Sequence, residues 1–360
     1  MNARAIERSG ILSLGIAFAG LSTAIAQDTQ WTQRATTGPS PRMHLPMSFD
    51  SARGKCVVFS GLATGTNDTW EWNGTQWANR GTGGPVSRYD HAMVFDSTRN
   101  VTVLFGGQGE SSALADTWEW DGVQWTRRQV AGPSARSGHA MAYDKLRRVT
   151  VLFGGDGQTW EWDGTTWTQR LVSGPAGRTR AGMAFDSERG LTVLYGGSNN
   201  DQNVWEWDGV SWTQVPPVGD RPGNYFGPLA YDAHRHVTVL LGGFGNSYTW
   251  EWNGNGWVRR QLPGPTARID YAMAYDTLRQ RTVLFGGFPT STSYDTWELA
   301  EACPTNCRAD LDCSGAIGVQ DIIGFLGAWF ARDPRADWDA NGNITPQDIF
   351  DFLAAWFAGC

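Results

Sequence analysis

The chain of 360 residues is 41% hydrophobic and 18% charged, which supplies a sizeable core and rules out a disordered polyelectrolyte. Its net charge is −7, and its only lysines are Lys55 and Lys145. With no basic run it lacks the electrostatic footprint of a protein that binds nucleic acid or an anionic membrane.

At the N-terminus Arg4 and Arg8 precede an apolar run from Ile11 to Ala26 that closes on Ala24-Ile25-Ala26, the small-residue spacing a signal peptidase needs. Residues 1–26 therefore read as a cleaved secretory signal. The mature chain, beginning near Gln27, is expected to be exported into a disulfide-permissive compartment. No later apolar run approaches the roughly 18 residues that a transmembrane span requires.

From there to about residue 300 the sequence repeats itself. Trp-Glu-Trp begins at Trp70, Trp118, Trp160, Trp205 and Trp250, with an imperfect copy in Trp297-Glu298-Leu299. Before each lies an apolar run ending in glycine at Gly61, Gly107, Gly155, Gly197, Gly243 and Gly287. Before each of those stands an aromatic-Asp pair ending at Asp50, Asp96, Asp144, Asp186, Asp232 and Asp276. The period of about 45 residues is that of four-stranded propeller blades. One unit reads as a strand (HAMAYD), a tight turn, a β-branched strand without alternation (VTVLFGG), a variable loop, a third strand (DTWEWDG), a Gly turn and a fourth strand (WTQR). A non-alternating apolar strand suits a sheet covered on both faces.

Counting fourth strands predicts how the ring closes. They start at Trp31, Trp77, Trp125, Trp167, Trp212 and Trp257, so one precedes the first unit and none follows the sixth. Residues 31–34 are therefore expected to supply the outer strand of the last blade, leaving no open seam.

The paired glycines after an apolar strand, followed by aromatic residues flanking a turn, resemble kelch repeats over residues 31 to about 300. The pattern departs from the usual one in carrying Trp where Tyr is common and in a five-residue Trp-to-Trp step. The resemblance implies a six-bladed kelch-like β-propeller over 27–300. Such propellers serve both as binding scaffolds and as enzymes, so the fold does not choose between them.

Trp160 and Trp162 sit two apart and share a strand face, and the pair recurs in nearly every unit, which makes inter-blade packing their expected role. The Glu between them faces the next blade and needs a cationic or hydrogen-bonding partner. Asp144 and Arg147, in the Asp-x-x-Arg turn, read as a structural pair. What every blade shares maintains the blade; what breaks the pattern is free to bind. The loops between strands two and three and those between blades share one face. They are longest at Gln108 to Asp116 and Phe288 to Asp295, with Leu62 to Asp68 between them in the ring and an insertion around Pro216 to Tyr225. The same face should carry Arg42, Arg88, Arg136, Arg178 and Arg268, each eight residues before a strand-one Asp, with Arg221 a looser sixth. Five forked guanidiniums form a candidate ligand-binding ring for a carboxylate or other anion. Repetition favours the alternative, in which each pairs with an acid of its own ring.

Catalytic signals are weak. His91 and His139 hold equivalent positions in adjacent blades, but His44 is displaced by one residue and other blades carry Leu45, Ala181, Gly227 and Tyr271 there, so these histidines read as structural or solvated. His234-x-His236 lies by the opposite turn and is a poor metal pair. GTTW at 164–167 resembles the sialidase Asp-box, except that Asp163 adjoins Gly164 with no residue between. GGDG at 154–157 precedes a strand, which argues against a phosphate loop.

Past a linker at 301–306, residues 307–360 change character. ADLDCSGAIGVQDIIGFLGAWFA from Ala309 and ADWDANGNITPQDIFDFLAAWFA from Ala336 place Asp, Asp, Ser or Asn, Gly and Asp at the oxygen-ligand positions of an EF-hand calcium loop. The expected ligands of two Ca2+ ions are Asp310, Asp312, Ser314, Ala316 and Asp321 in loop one and Asp337, Asp339, Asn341, Asn343 and Asp348 in loop two. In the following helices Ile322, Phe325, Leu326 and Trp329 match Ile349, Phe352, Leu353 and Trp356 at helical spacing. Asp in place of the last Glu, the missing entering helices and the tandem loop-helix duplication resemble dockerin modules. That resemblance implies calcium-dependent docking to a cohesin-like receptor. The terminal Gly359-Cys360 resembles the dockerin-like ends of secreted bacterial proteins that tether them to a surface. Val319-Gln320 and Pro346-Gln347 depart from the usual small hydroxyl pair. Cys303, Cys307, Cys313 and Cys360 are disulfide candidates in any of three pairings, and Cys56, in an apolar strand, should be a buried free thiol.

The expectation is an exported, cell-surface or matrix protein whose propeller binds a glycan or protein and whose C-terminal module tethers it through calcium. The alternative is an extracellular carbohydrate-active enzyme, an oxidase, epimerase or sialidase-like protein, which an acid-base pair at the channel mouth would favour.

Overall fold

The computed structural model describes residues 29–62, 65–198, 201–216, 218–223, 226–243, 245–288, 295–301, 309–311, 317–330, 336–339 and 341–359. The leader 1–26, the linker residues 302–306, Asp312, Ser314, Ala316, Cys303, Cys307, Cys313 and Cys360 lie outside the described residues.

The apolar second strands decide the architecture. Val57, Val58 and Phe59, and their counterparts in every unit, are at most 1% exposed, because sheets press on both of their faces. The strands are β1 (Thr29–Ala35); β2 (Met47–Asp50), β3 (Lys55–Phe59), β4 (Thr69–Trp72) and β5 (Trp77–Asn79); β6 (Ala92–Asp96), β7 (Val101–Phe105), β8 (Thr117–Trp120) and β9 (Trp125–Arg128). Then follow β10 (Ala140–Asp144), β11 (Val149–Gly154), β12 (Gln158–Trp162) and β13 (Trp167–Arg170); β14 (Gly182–Asp186), β15 (Leu191–Tyr195), β16 (Val204–Trp207) and β17 (Trp212–Val215). The last two blades hold β18 (Ala230–Asp232), β19 (Val237–Gly243), β20 (Asn246–Trp252) and β21 (Trp257–Arg260), then β22 (Ala272–Asp276), β23 (Arg281–Phe285) and β24 (Thr296–Glu301).

They form six four-stranded antiparallel sheets, the blades of a β-propeller, and the sixth has the order β1-β24-β23-β22. The N-terminal strand thus closes the ring as the strand count predicts, with Trp31 opposite Leu299.

The tryptophans are cement, as expected. Trp72 on β4 lies opposite Trp77 on β5, their rings 5.6 Å apart, and the same pair recurs in blades two to five. The inner ring is almost fully buried against the preceding blade, with its Nε1 donating to Glu298 for Trp72 and to Glu71 for Trp120. Glu71 also accepts from Arg53 at 2.6 Å and Arg80 at 2.7 Å, so a buried carboxylate is met by two guanidiniums and an indole N–H. That satisfies its lone pairs and removes the cost of burying the charge. Asp50 caps the turn by accepting from the backbone N–H groups of Ala52 and Arg53 and from Arg53 Nε, and Asp144 treats Arg147 alike. Each such arginine also reaches over the glycine turn of the next blade: Gly164 has φ +97°, and a Cβ there would stand 2.6 Å from Arg99 Nε.

Two helices follow the propeller, α1 (Val319–Phe330) and α2 (Pro346–Ala358). The duplication is visible as a pseudo-twofold: Phe325 and Phe352 stack at 4.2 Å with planes 2° apart. Trp329 Nε1 donates to the Thr345 carbonyl and Trp356 Nε1 to that of Gly318, each at 2.9 Å, so each helix is tied to the start of the other. Ala309, Ala336 and Trp338 complete a small core of their own. Among the described residues no helix is long and apolar enough to cross a membrane.

Candidate functional site

The five ring arginines, the candidate ligand-binding set, are each paired with an acid, the arrangement that repetition favoured. Arg42, Arg88, Arg136, Arg178 and Arg268 are buried and form ion pairs within their own blades with Asp68, Asp116, Asp156, Asp201 and Asp295 at 2.6 to 3.0 Å. Each also donates to a backbone carbonyl 18 residues on, Ser60 for Arg42 and Gly106 for Arg88. The physical reason is desolvation: a guanidinium enclosed between blades must spend its donors on fixed acceptors. Burial would raise the Asp68 carboxyl, but the Arg42 and Trp70 hydrogen bonds outweigh it and bring it down to about 2. Arg221, the looser sixth, is exposed and has no such pair among the described residues.

The structure brings together a different set. Six residues before each strand-one Asp the chain turns onto the propeller axis, and here stand His44, Asp90, Gly138, Arg180 and Asp270, all with positive φ. Their backbones link blade to blade around the axis: His44 N donates to the Asp270 carbonyl, Asp90 N to His44, Gly138 N to Asp90 and Arg180 N to Gly138. Glycine adopts this conformation freely, whereas the four side-chain-bearing residues hold it at some cost, a pattern found at functional sites.

They form the mouth of an axial cavity of about 140 Å³. Deeper in, the same register of every inner strand supplies Met47, Met93, Met141, Met183, Leu229 and Met273 as an apolar wall. His44 Nδ1 donates to Asp90 Oδ1 at 2.9 Å and lies 3.5 Å from Asp270 Oδ1; Arg180 Nη2 reaches Asp90 Oδ2 at 3.3 Å. Burial pushes both carboxyls up. At Asp90 the His44 hydrogen bond and the Arg180 charge overcome it and leave the group below the ordinary carboxylate range. At Asp270 the contributions of His44 and Arg180 fall short of burial, and the group stays raised. Sequence reasoning placed variability in the long loops and missed this position, although its own rule would have found it: His, Asp, Gly, Arg, Phe226 and Asp break the repeat at one register.

The other histidines are structural. His139 Nε2 donates to the Phe105 carbonyl of the preceding blade, and Tyr271 Oη, at the equivalent position in blade six, donates to Leu241 O. His91 stands edge-on to Phe59, and neither ring nitrogen has a hydrogen-bond partner among the described residues. Burial drives the His139 imidazole down to about 3 and His91 far below its usual range. His234 and His236 turn to different acids, Glu301 and Glu188, and make no joint site. Asp163 caps its own turn through the N–H groups of Thr165 and Thr166. Cys56 is buried and free.

In the C-terminal loops Asp337, Asp339 and Asp348 bring carboxylate oxygens within 4.8 Å of one another, the one acidic group of this kind among the described residues. Asp348 is also the hinge of its loop: Oδ1 accepts from Trp338 N and Oδ2 from Thr345 N. The Thr345 N–H in particular holds its carboxyl below the ordinary range. Asn341 and Asn343 line the same turn, with Asn343 N donating to Asn341 Oδ1. In loop one Asp321 repeats the pattern, accepting from Leu311 N and Gly318 N, beside buried Asp310.

No protein-family model matches the chain, and no curated protein matches it. Among solved structures, that of YjhT is similar over 72% of this chain and 95% of its own, with a TM-score of 0.59 at 12% identity. At that identity the likeness is one of architecture, and it agrees with the sheets described above: the chain is a six-bladed β-propeller.

Proposed function

We propose that the chain is an exported binding protein of the kelch type, whose propeller holds a glycan or protein ligand and whose C-terminal dockerin-like module tethers it, in the presence of calcium, to a cohesin-like or other surface receptor. One observation carries the reading: two loop-helix halves related by a twofold, one of which gathers Asp337, Asp339 and Asp348 within 4.8 Å. Hard oxygen donors at this spacing suit Ca2+, and without a cation their mutual repulsion opposes the compact loop. On this reading Asn341 and Asn343 belong to the same site, and Asp310 and Asp321 belong to a second one in loop one. Titration of the full chain with calcium should show two ions bound, at up to about millimolar affinity as in extracellular modules, and a gain in helicity. Asp310→Ala with Asp337→Ala should abolish both responses and leave the propeller's melting transition in place. Calorimetry without a calcium signal would remove the tethering role.

A second reading, an extracellular carbohydrate-active enzyme, is favoured by Asp90 and Asp270 at the channel mouth, whose environments push their proton affinities apart as in an acid-base pair. Turnover of a polysaccharide panel that is lost in Asp90→Asn would support it. No turnover of any glycan by the intact chain would dismiss it.

A further inference from the structure

Asp270 is the one mouth residue whose chemistry is incomplete. Its side chain is 7% exposed, yet no hydrogen-bond donor among the described residues reaches the carboxylate: His44 Nδ1 is 3.5 Å away and already donates to Asp90. Asp90, by contrast, is met by both His44 and Arg180. A carboxylate that lines the cavity with one imidazole at 3.5 Å and no donor within hydrogen-bond reach has room for one from outside the chain.

We propose that the axial cavity is a binding site for a small primary amine, with the ammonium group docked on the Asp270 carboxylate and the alkyl stem against the methionine wall.

Three observations select this ligand. The mouth sets two carboxylates, Asp90 and Asp270, against one guanidinium, that of Arg180, which already engages Asp90. An anion meets two carboxylates and an arginine already engaged by Asp90. The methionines offer polarizable, unbranched surface and no donors, which suits an alkyl chain and leaves the hydroxyls of a sugar without partners. Size sets the limit: at about 140 Å³ the space compares with the roughly 150 Å³ apolar cavity that accepts benzene, hence about six non-hydrogen atoms. The site goes beyond the glycan or protein ligand proposed for the propeller and owes nothing to the C-terminal module, so a failed calcium titration would leave it standing.

The test uses the full chain and three probes of one size: n-butylamine, 1-butanol and butyrate, titrated at neutral pH. The amine should bind at least about tenfold more tightly than either partner probe, one decade being about 1.4 kcal/mol. Binding should shift the ε-methyl resonances of Met47, Met93, Met141, Met183 and Met273 and spare Met43, which lies outside the cavity. Asp270→Asn keeps a residue tolerant of the left-handed backbone at φ 54° and should lower amine affinity at least about tenfold while the melting temperature holds. Equal binding of butanol, preference for butyrate, no binding of the amine, methyl shifts confined to Met43, or full affinity in the Asp270→Asn chain would each overturn the proposal. Should that variant fail to fold, the ranking of the three probes and the methyl shifts in the wild-type chain decide it alone.

Discussion

A histidine sealed between two blades links the stability of this molecule to pH above the range in which its paired carboxylates act. His91 and His139 are held neutral, with folded-state proton affinities well below the usual 6.5, down to about 3 for His139. Below 6.5 the unfolded chain takes up two protons that the folded chain refuses, so stability falls as pH drops. The slope approaches about 1.4 kcal/mol per pH unit for each histidine. Melting temperature should therefore decline from pH 6.5 toward pH 5, above the range in which paired acids such as Asp68 lose their contribution as the unfolded chain's carboxylates take up protons. His91→Gln with His139→Gln should flatten that decline; an unchanged slope in the double variant would show that the protons go elsewhere. At this scale the sequence revealed roles unevenly. The Glu71 and Asp144 partners were legible because they recur at fixed offsets. The partners of the five ring arginines were not, because the acids lie in the variable loops, 26 residues on for Arg42, 28 for Arg88, 20 for Arg136, 23 for Arg178 and 27 for Arg268. The mouth cluster was harder still. His44 and Asp90 are 46 residues apart and Arg180 and Asp90 are 90 apart, and only ring closure makes them neighbours.

Between elements, the seams follow one rule, and blade four breaks it. The outer tryptophan of five blades donates its Nε1 to the threonine that precedes the paired tryptophan position on the third strand of the blade before: Trp77 to Thr296, Trp125 to Thr69, Trp167 to Thr117, Trp212 to Thr159 and Trp31 to Thr249. Trp257 is left out. Its counterpart is Val204, at the start of β16, and its Nε1 is buried with no partner among the described residues. Val204 pairs across the sheet with Val215, where blade three has Thr159 opposite Arg170, so two polar positions have turned apolar together. Val204→Thr should give the indole its acceptor and raise stability by about 1 kcal/mol, the net worth of one buried hydrogen bond. In that background Trp257→Phe should cost more than it does in the parent chain. Additive effects in denaturant melts would mean that the hydroxyl does not reach the ring.

For the whole molecule, closure is the critical contact. Strand β1 adds a six-pair ladder to β24, with a bulge at Arg34, the buried Trp31 and the Arg34–Glu298 ion pair at 2.9 Å. Removing residues 29–36 should cost at least about 5 kcal/mol, counting about 3 to 5 for the tryptophan alone, and should lower the melting temperature by about 10 °C or more. A melting curve unmoved by the deletion would refute the role assigned to this strand. Closure could be foreseen by counting fourth strands, since a surplus at one end and a deficit at the other have one solution in a ring. The axial cavity could not, because it exists only once six inner strands converge.

The latch also sets a schedule. A chain leaving the ribosome presents residues 29–35 first, and their partner strand is nearly the last part of the propeller to be made. Blades one to five pair locally as they emerge, while Arg34 must wait for Glu298, 264 residues downstream. Joining ends so far apart costs about 5 kcal/mol of chain entropy, which no early contact offsets. The slow step of folding is then the final docking of the oldest segment, and the same segment, released first, is where the ring comes apart.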